Sequence, residues 1–213
     1  MSQPSDLPGR FGRTVRDIER LLRATAVPAA LAGGWSVWHY GYVGRVTEDV
    51  DIVIPQCSEA DLLNNAPFFG FEIVPVNPGS WPKLLHQETG IRVDFMPEGR
   101  YPGIPSRLAP VPIGHPLCYV AGHDQLDFIS LAGLFELKLG ARSAKDIADL
   151  VELIKVNQSK LNDIRVHLRS TSPAYAAEFE SLIEQANEET ELRPLPTANC
   201  LLITAYCQLI TDY

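Results

Sequence analysis

The sequence predicts a mixed α/β (α+β) fold: a sheet flanked by helices, followed by a mostly helical C-terminal lobe. Short apolar and β-branched runs bounded by turn sequences fill the first half, and helical periodicity fills the second. Between them, residues 97–116 hold six prolines and three glycines, which interrupt any periodicity. The expected division is a core over 14–97, a connection over 98–116, a helical lobe over 117–190 and an unassigned apolar tail over 191–213.

Residues 14–26 carry Val15, Ile18, Leu21 and Leu22 at helical spacing among Arg and Glu, which predicts one amphipathic helix ending before Pro28. Ala29–Ala32 is small and apolar and runs into Gly33-Gly34 and then Trp35–Tyr40, a pattern of strand, tight turn and short helix. Val50–Ile54, closed by Pro55, is β-branched at four of its five positions, and Ser58 stands where it can cap a helix over 58–65. Three extended segments follow, at 71–76, 81–86 and 91–96. The turn sequences Asn77-Pro78-Gly79 and Glu88-Thr89-Gly90 separate them, and the last two segments read as a hairpin. Helices are expected over 126–139, 143–156, 161–169 and 173–187, with Ser172 before Pro173 as a start signal for the last. Leu201–Ile210 is apolar but leaves strand and helix open.

At 213 residues the chain can bury a sizeable core without metal or disulfide support, and 46% apolar with 21% charged residues fits a globular protein. Its 18 basic against 26 acidic residues give a net charge of −8, so the average field does not attract polyanions, and a nucleic-acid partner would need a local basic patch. Cys57, Cys118, Cys200 and Cys207 form no C-x-x-C pair, which points to buried free thiols in a reducing compartment. Neither a secretory leader nor an apolar run of about 20 residues is present, so a cytoplasmic protein with no membrane partner is expected.

The chemistry is carried by acids. On a strand over 50–54, side chains alternate, so Asp49 and Asp51 share one face while Val50, Ile52 and Ile54 take the other. The same alternation sets Asp94 apart from Ile91, Val93 and Phe95, and a neighbouring strand could bring it alongside the pair. Three carboxylates on a rigid sheet suit Mg²⁺, or Mn²⁺ in its place. A D-x-D pair taken alone also fits solvated acids at a strand edge. Upstream, Gly33-Gly34 offers bare backbone amides at a strand-to-helix turn, where a triphosphate can be received. Trp35, Trp38, Tyr40 and Tyr42 fit either stacking on a base or core packing.

The run from Leu31 to Ile54, LAGGWSVWHYGYVGRVTEDVDIVI, resembles the signature of the DNA polymerase beta-type nucleotidyltransferase superfamily: glycine pair, short helix, then Arg-x-Thr-x-Asp-x-Asp. The resemblance implies a nucleotidyltransferase-type sheet. Asp49, Asp51 and Asp94 would be the metal ligands and catalytic acids, and Gly33 and Gly34 would hold the phosphates of an NTP. Ser36, Arg45 and Thr47 would lie near the nucleotide. Many members place Ser directly after the first glycine, where this chain has Gly34.

Further along, Leu137-Lys138-Leu139-Gly140-Ala141-Arg142 and Lys145-Asp146-Ile147-Ala148-Asp149-Leu150 resemble the AbiEii-like toxin branch of that superfamily. That likeness implies that Lys138 and Arg142 reach the nucleotide, with Lys145, Asp146 and Asp149 as lesser members of the site. A Lys/Arg helix face is equally compatible with solvent, and Ser143 with Asp146 also fits a helix-capping pair. The implied acceptor is tRNA or protein, and the implied partner a cognate antitoxin. The related lincosamide and aminoglycoside enzymes, some with a Gly-Gly-Trp, imply a small antibiotic instead, and a catalytically degenerate nucleotide-binding module is the remaining reading.

Overall fold

Alternating apolar residues build a six-stranded mixed sheet from β1 (Ala30–Leu31), β2 (Asp49–Ile54), β3 (Phe71–Val74), β4 (Lys83–His86), β5 (Arg92–Pro97) and β8 (Asp127–Phe128), in the order β3-β4-β5-β2-β1-β8. The β2/β5 and β1/β8 pairs are parallel and the others antiparallel. Strands β6 (Gly103–Ile104) and β7 (Arg107–Leu108) form a separate small hairpin within the Pro/Gly-rich connection. The computed structural model describes residues 3–120 and 126–192, so the expectations for Cys200, Cys207 and the apolar segment Leu201–Ile210 lie outside the described residues.

Two apolar layers cover the sheet. On one face, α1 (Gly9–Ala24) buries Val15, Ile18, Leu21 and Leu22 against Val50, Ile52, Ile54, Val93 and Phe95, together with Leu62 of α3 (Glu59–Asn65). Each such side chain contributes roughly 1.5–3 kcal/mol of gross burial energy. On the other face, Ala30, Ala32, Val53 and Met96 meet α4 (Leu131–Ala141), α5 (Ala144–Val156), α6 (Leu161–Thr171) and α7 (Pro173–Glu191). The expected plan of a mixed sheet flanked by helices and followed by a helical part is therefore present.

Several boundaries differ from the sequence reading. Helix α1 starts at Gly9, five residues before Thr14; Phe11, four residues before Val15, extends its apolar face and packs on Trp35. Asp127 and Phe128 pair with β1 instead of opening a helix. Ser130 then caps α4, its hydroxyl accepting from Gly133 N–H at 3.1 Å. Gly33 and Gly34 form the first turn of α2 (Gly33–His39) rather than preceding it. Ser58 and Ser172 occupy N-cap positions but make no side-chain cap bond, whereas Ser143 and Asp146 form a complete capping box on α5. Cys57 and Cys118 are exposed, not buried, because each sits on a single-turn 3-10 segment at the surface. Trp35 packs with Phe11 and Trp38 in the core, and Tyr40 donates its hydroxyl to the Ile129 carbonyl at 2.7 Å, so these rings are structural.

Candidate active site

Register brings the acids together. In the parallel β2/β5 pair, Asp51 stands opposite Asp94 and Asp49 opposite Arg92. Because Val50, Ile52, Val93 and Phe95 belong to the α1-side core, the three acids project from the other face, toward the helical layer. The start of α2 closes against them: Ala32 N–H donates to the Asp51 carbonyl at 2.8 Å, and Gly33 has φ +62°. A Cβ on Gly33 would lie 1.7 Å from Asp51 Oδ2, so only glycine lets the carboxylate stand against this turn. A Cβ on Gly34 would lie 2.2 Å from Thr47 Oγ1 and 3.0 Å from the Arg45 guanidinium carbon. Thr47 and Arg45 thus fill the space that a side chain at this position would need.

Like charge and burial define the electrostatics. Burial, with Asp49 and Asp94 beside it, pushes the Asp51 carboxyl up from the ordinary 3.8 to about 7, while Lys138 and Arg45 act in the opposite sense. Arg92 donates to Asp49 Oδ2 at 2.8 Å and stands 3.1 Å from Asp94 Oδ1, and the hydrogen bond to Asp49 raises its pKa. Lys83, opposite Asp94 in the β4/β5 register, donates to Asp94 Oδ2. Two buried polar atoms here have no hydrogen-bond partner: Asp94 Oδ1, toward which no donor hydrogen of Arg92 is well aimed, and Thr47 Oγ1. Among the described residues no group of three Asp, Glu, His or Cys side chains is placed to hold a metal ion. Arg92 and Lys83 take up the Asp49 and Asp94 carboxylates, while Asp51 keeps its upward-shifted carboxyl against the Gly33 turn.

A second cluster lies beside the first. Lys138 on α4 is 5% exposed and donates to Asp149 Oδ2 at 2.7 Å and Asp146 Oδ1 at 2.9 Å. Arg45 Nη1 donates to the same Asp149 oxygen at 2.5 Å. Burial opposes ionisation of Asp146, but the Lys138 ammonium and the bonds from Ser143 outweigh it and hold its carboxyl below the usual range. Asp149 therefore clamps two cations whose fields reach Asp51.

Gly33, Gly34, Arg45, Thr47, Asp49, Asp51, Asp94, Lys138, Asp146 and Asp149 thus belong to one connected region. Three of the expected residues do not join it. Ser36 is fully buried and donates to the Leu31 carbonyl at 2.8 Å. Arg142 ends α4 in the left-handed region and pairs with Glu178 at 2.7 Å. Lys145 is exposed on α5. Sequence reasoning missed Arg92 and Lys83, although the period of two already sets Arg92 on the face of Asp94, and the predicted hairpin could have set Lys83 opposite it.

Neither a protein-family model nor a curated protein matches the sequence. Among solved structures, the chain is similar to the crystal structure of ANT(2")-Ia in complex with adenylyl-2"-tobramycin (15% identity, 84% of this chain and 97% of that one, TM-score 0.40). It is also similar to the solution structure of the antibiotic-resistance factor ANT(2'')-Ia (15% identity, 84% and 95%, TM-score 0.38). A third is the crystal structure of JHP933 from Helicobacter pylori (12% identity, 84% and 93%, TM-score 0.41). Likenesses this distant do not bear on the chemistry, which rests on the residues above. No helix among the described residues is long and apolar enough to cross a membrane.

Proposed function

We propose that the chain is a divalent-metal-dependent nucleotidyltransferase that moves a nucleoside monophosphate from an NTP to a hydroxyl group. The observation that carries this reading is the opposed pair Asp51 and Asp94, with the Gly33 backbone packed directly against the Asp51 carboxylate. Asp49, Asp51 and Asp94 would hold Mg²⁺ or Mn²⁺ in exchange for the pairs that Asp49 and Asp94 make with Arg92 and Lys83, and the ion would supply charge neutralisation for an in-line displacement at phosphorus. The backbone amides at Gly33 and Gly34, which open α2 beside Asp51, Thr47 and Arg45, would receive phosphate oxygens. Lys138 and Arg45, held by Asp149, place fixed positive charge beside the acids, where it offsets the negative charge of a triphosphate. The acceptor oxygen bonds to the α-phosphorus, the bond to the bridging oxygen breaks, and pyrophosphate leaves. The acceptor proton would pass to Asp94, the acid opposite Asp51 on the neighbouring strand.

The resemblance of Lys138, Asp146 and Asp149 to the AbiEii-like pattern supports a macromolecular acceptor, tRNA or protein. Incubation with each α-labelled NTP and Mg²⁺ tests this, with a tRNA pool, a protein lysate and aminoglycoside or lincosamide antibiotics offered in turn. The wild type is expected to label tRNA or protein, and Asp49→Ala/Asp51→Ala to label nothing. Label on an antibiotic alone would replace the acceptor, and nucleotide binding without transfer would reduce the chain to a binding module.

A further inference from the structure

Helix α1 commits its apolar face to the sheet and presents arginine on the other. Arg10, Arg13, Arg16, Arg20 and Arg23 recur every three or four residues and are all exposed, Arg20 and Arg23 by 67% and 64% of their side chains. One arginine per turn lines a 16-residue helix about 24 Å long. With only Asp17 and Glu19 against five arginines, α1 carries +3 on a chain whose net charge is −8. The mates of this row are weak. Arg13 meets Glu88 in an exposed pair, Arg20 meets Asp17 at 3.0 Å, Arg23 meets Glu19 at 3.5 Å, and Arg16 donates to the Ser5 carbonyl at 3.3 Å. Exposed pairs of this kind contribute little and exchange readily for a better anion.

An aromatic stands beside the row. The 3-10 turn Ala66–Phe69 packs against α1, with the Arg20 guanidinium 6.0 Å from the Phe69 ring centroid, and the adjacent Phe68 is 83% exposed. Guanidinium forks match phosphate oxygens, and an exposed ring offers a stacking platform for an unpaired base. A lipid surface is a poorer match, because the apolar face of α1 is already buried and has nothing to insert.

We infer that the arginine face of α1, with Phe68, is a docking surface for single-stranded nucleic acid. It lies on the opposite face of the sheet from Asp49, Asp51 and Asp94, so it anchors a strand rather than presenting the reacting hydroxyl, and it does not rest on the nucleotidyl-transfer reading.

Fluorescence anisotropy of the full chain with a labelled oligouridine of about 20 nucleotides, over roughly 50–200 mM salt and without NTP, tests it. The wild type is expected to bind with log K falling on log salt with a slope of about −3. Arg13→Gln/Arg16→Gln/Arg20→Gln should make that slope shallower by about 2, at about 0.7 per phosphate contact. Phe68→Ala keeps every charge and is expected to weaken binding about tenfold at unchanged slope. Arg169→Gln, an exposed arginine of α6, should change neither quantity. All substituted side chains are exposed, and matching melting curves verify that the fold persists. Absence of wild-type binding at low salt overturns the inference, as does an unaffected triple variant. Binding of polyglutamate or phosphatidylserine vesicles as tight as that of RNA, with no effect of Phe68→Ala, also overturns it in favour of a general anion surface.

Discussion

Asp51 and Asp94 face each other across the parallel β2/β5 pair, and the Gly33 backbone seals the space beside Asp51. Two acids on one sheet face, with Asp49 two residues away on the same strand, make a site that repels its own charge. Its stability therefore depends on what neutralises it.

The first prediction concerns pH. The folded-state pKa of Asp51 is raised from 3.8 to about 7, so between those values the folded chain holds a proton that the unfolded chain has released. Metal-free stability is thus expected to fall as pH rises from about 4 to about 7 and to level off above. Asp51→Asn removes this cost, on the order of 1–3 kcal/mol at pH 8, and should raise the metal-free Tm there by about 2–8 °C. The gap should narrow as pH is lowered and close near pH 4. Mg²⁺ should stabilise the wild type increasingly up to pH 7 and leave the variant almost unmoved. Thermal melts across pH check both, and a variant less stable than wild type at pH 8 would contradict the charge argument.

Gly33→Ala forces a Cβ into the space of the Asp51 carboxylate at a left-handed φ. About 1–2 kcal/mol of backbone cost adds to the steric one, for an expected loss of about 2–4 kcal/mol in urea unfolding. Transfer activity should disappear even in the fraction that stays folded, because the carboxylate cannot keep its position. Ordinary stability and turnover in Gly33→Ala would show that the turn has slack.

Much of this site is legible in the sequence because its logic is local. A period of two sets Asp49 with Asp51 and isolates Asp94 from Val93 and Phe95, and the glycine pair marks a close approach of backbone. The contacts that organise the cations are hidden for the opposite reason. Arg45 and Asp149 are 104 residues apart, and nothing in either segment specifies the other. Strand β8 escapes notice because its two residues sit in an apolar stretch continuous with α4, and pairing with β1, rather than periodicity, decides their state. Ser36 misleads in another way: a hydroxyl on the first helix after the glycine pair suggests phosphate, but the helix turns it inward.

Asp149 is predicted to be the structural keystone of the cation cluster. Asp149→Ala leaves Lys138 with Asp146 alone and strips Arg45 of its carboxylate, an expected cost of about 3–5 kcal/mol for broken buried pairs. Lys138→Met should cost less, because Asp149 keeps Arg45. The double variant should be destabilised by less than the two single effects combined, since both remove the same contact. Additive losses in chemical denaturation would show that the two side chains do not act together.

Ser36→Ala separates structure from nucleotide contact. The Ser36 hydroxyl donates to the Leu31 carbonyl, which also accepts the Ile129 N–H at 2.8 Å, so removal of the hydroxyl leaves that carbonyl satisfied. The expected stability loss is about 0.5–1.5 kcal/mol, the net value of one buried hydrogen bond. Turnover and KM for the NTP, measured per folded molecule, should stay within about twofold of wild type, which is less than 0.5 kcal/mol of binding energy. Thr47→Val is the informative contrast. Its hydroxyl is buried without a partner beside Gly34, so its loss should cost little stability while raising KM by about five- to tenfold if that oxygen waits for phosphate. A raised KM in Ser36→Ala, with Thr47→Val unaffected, would reverse the two assignments and place the phosphate contact on the inner side of α2.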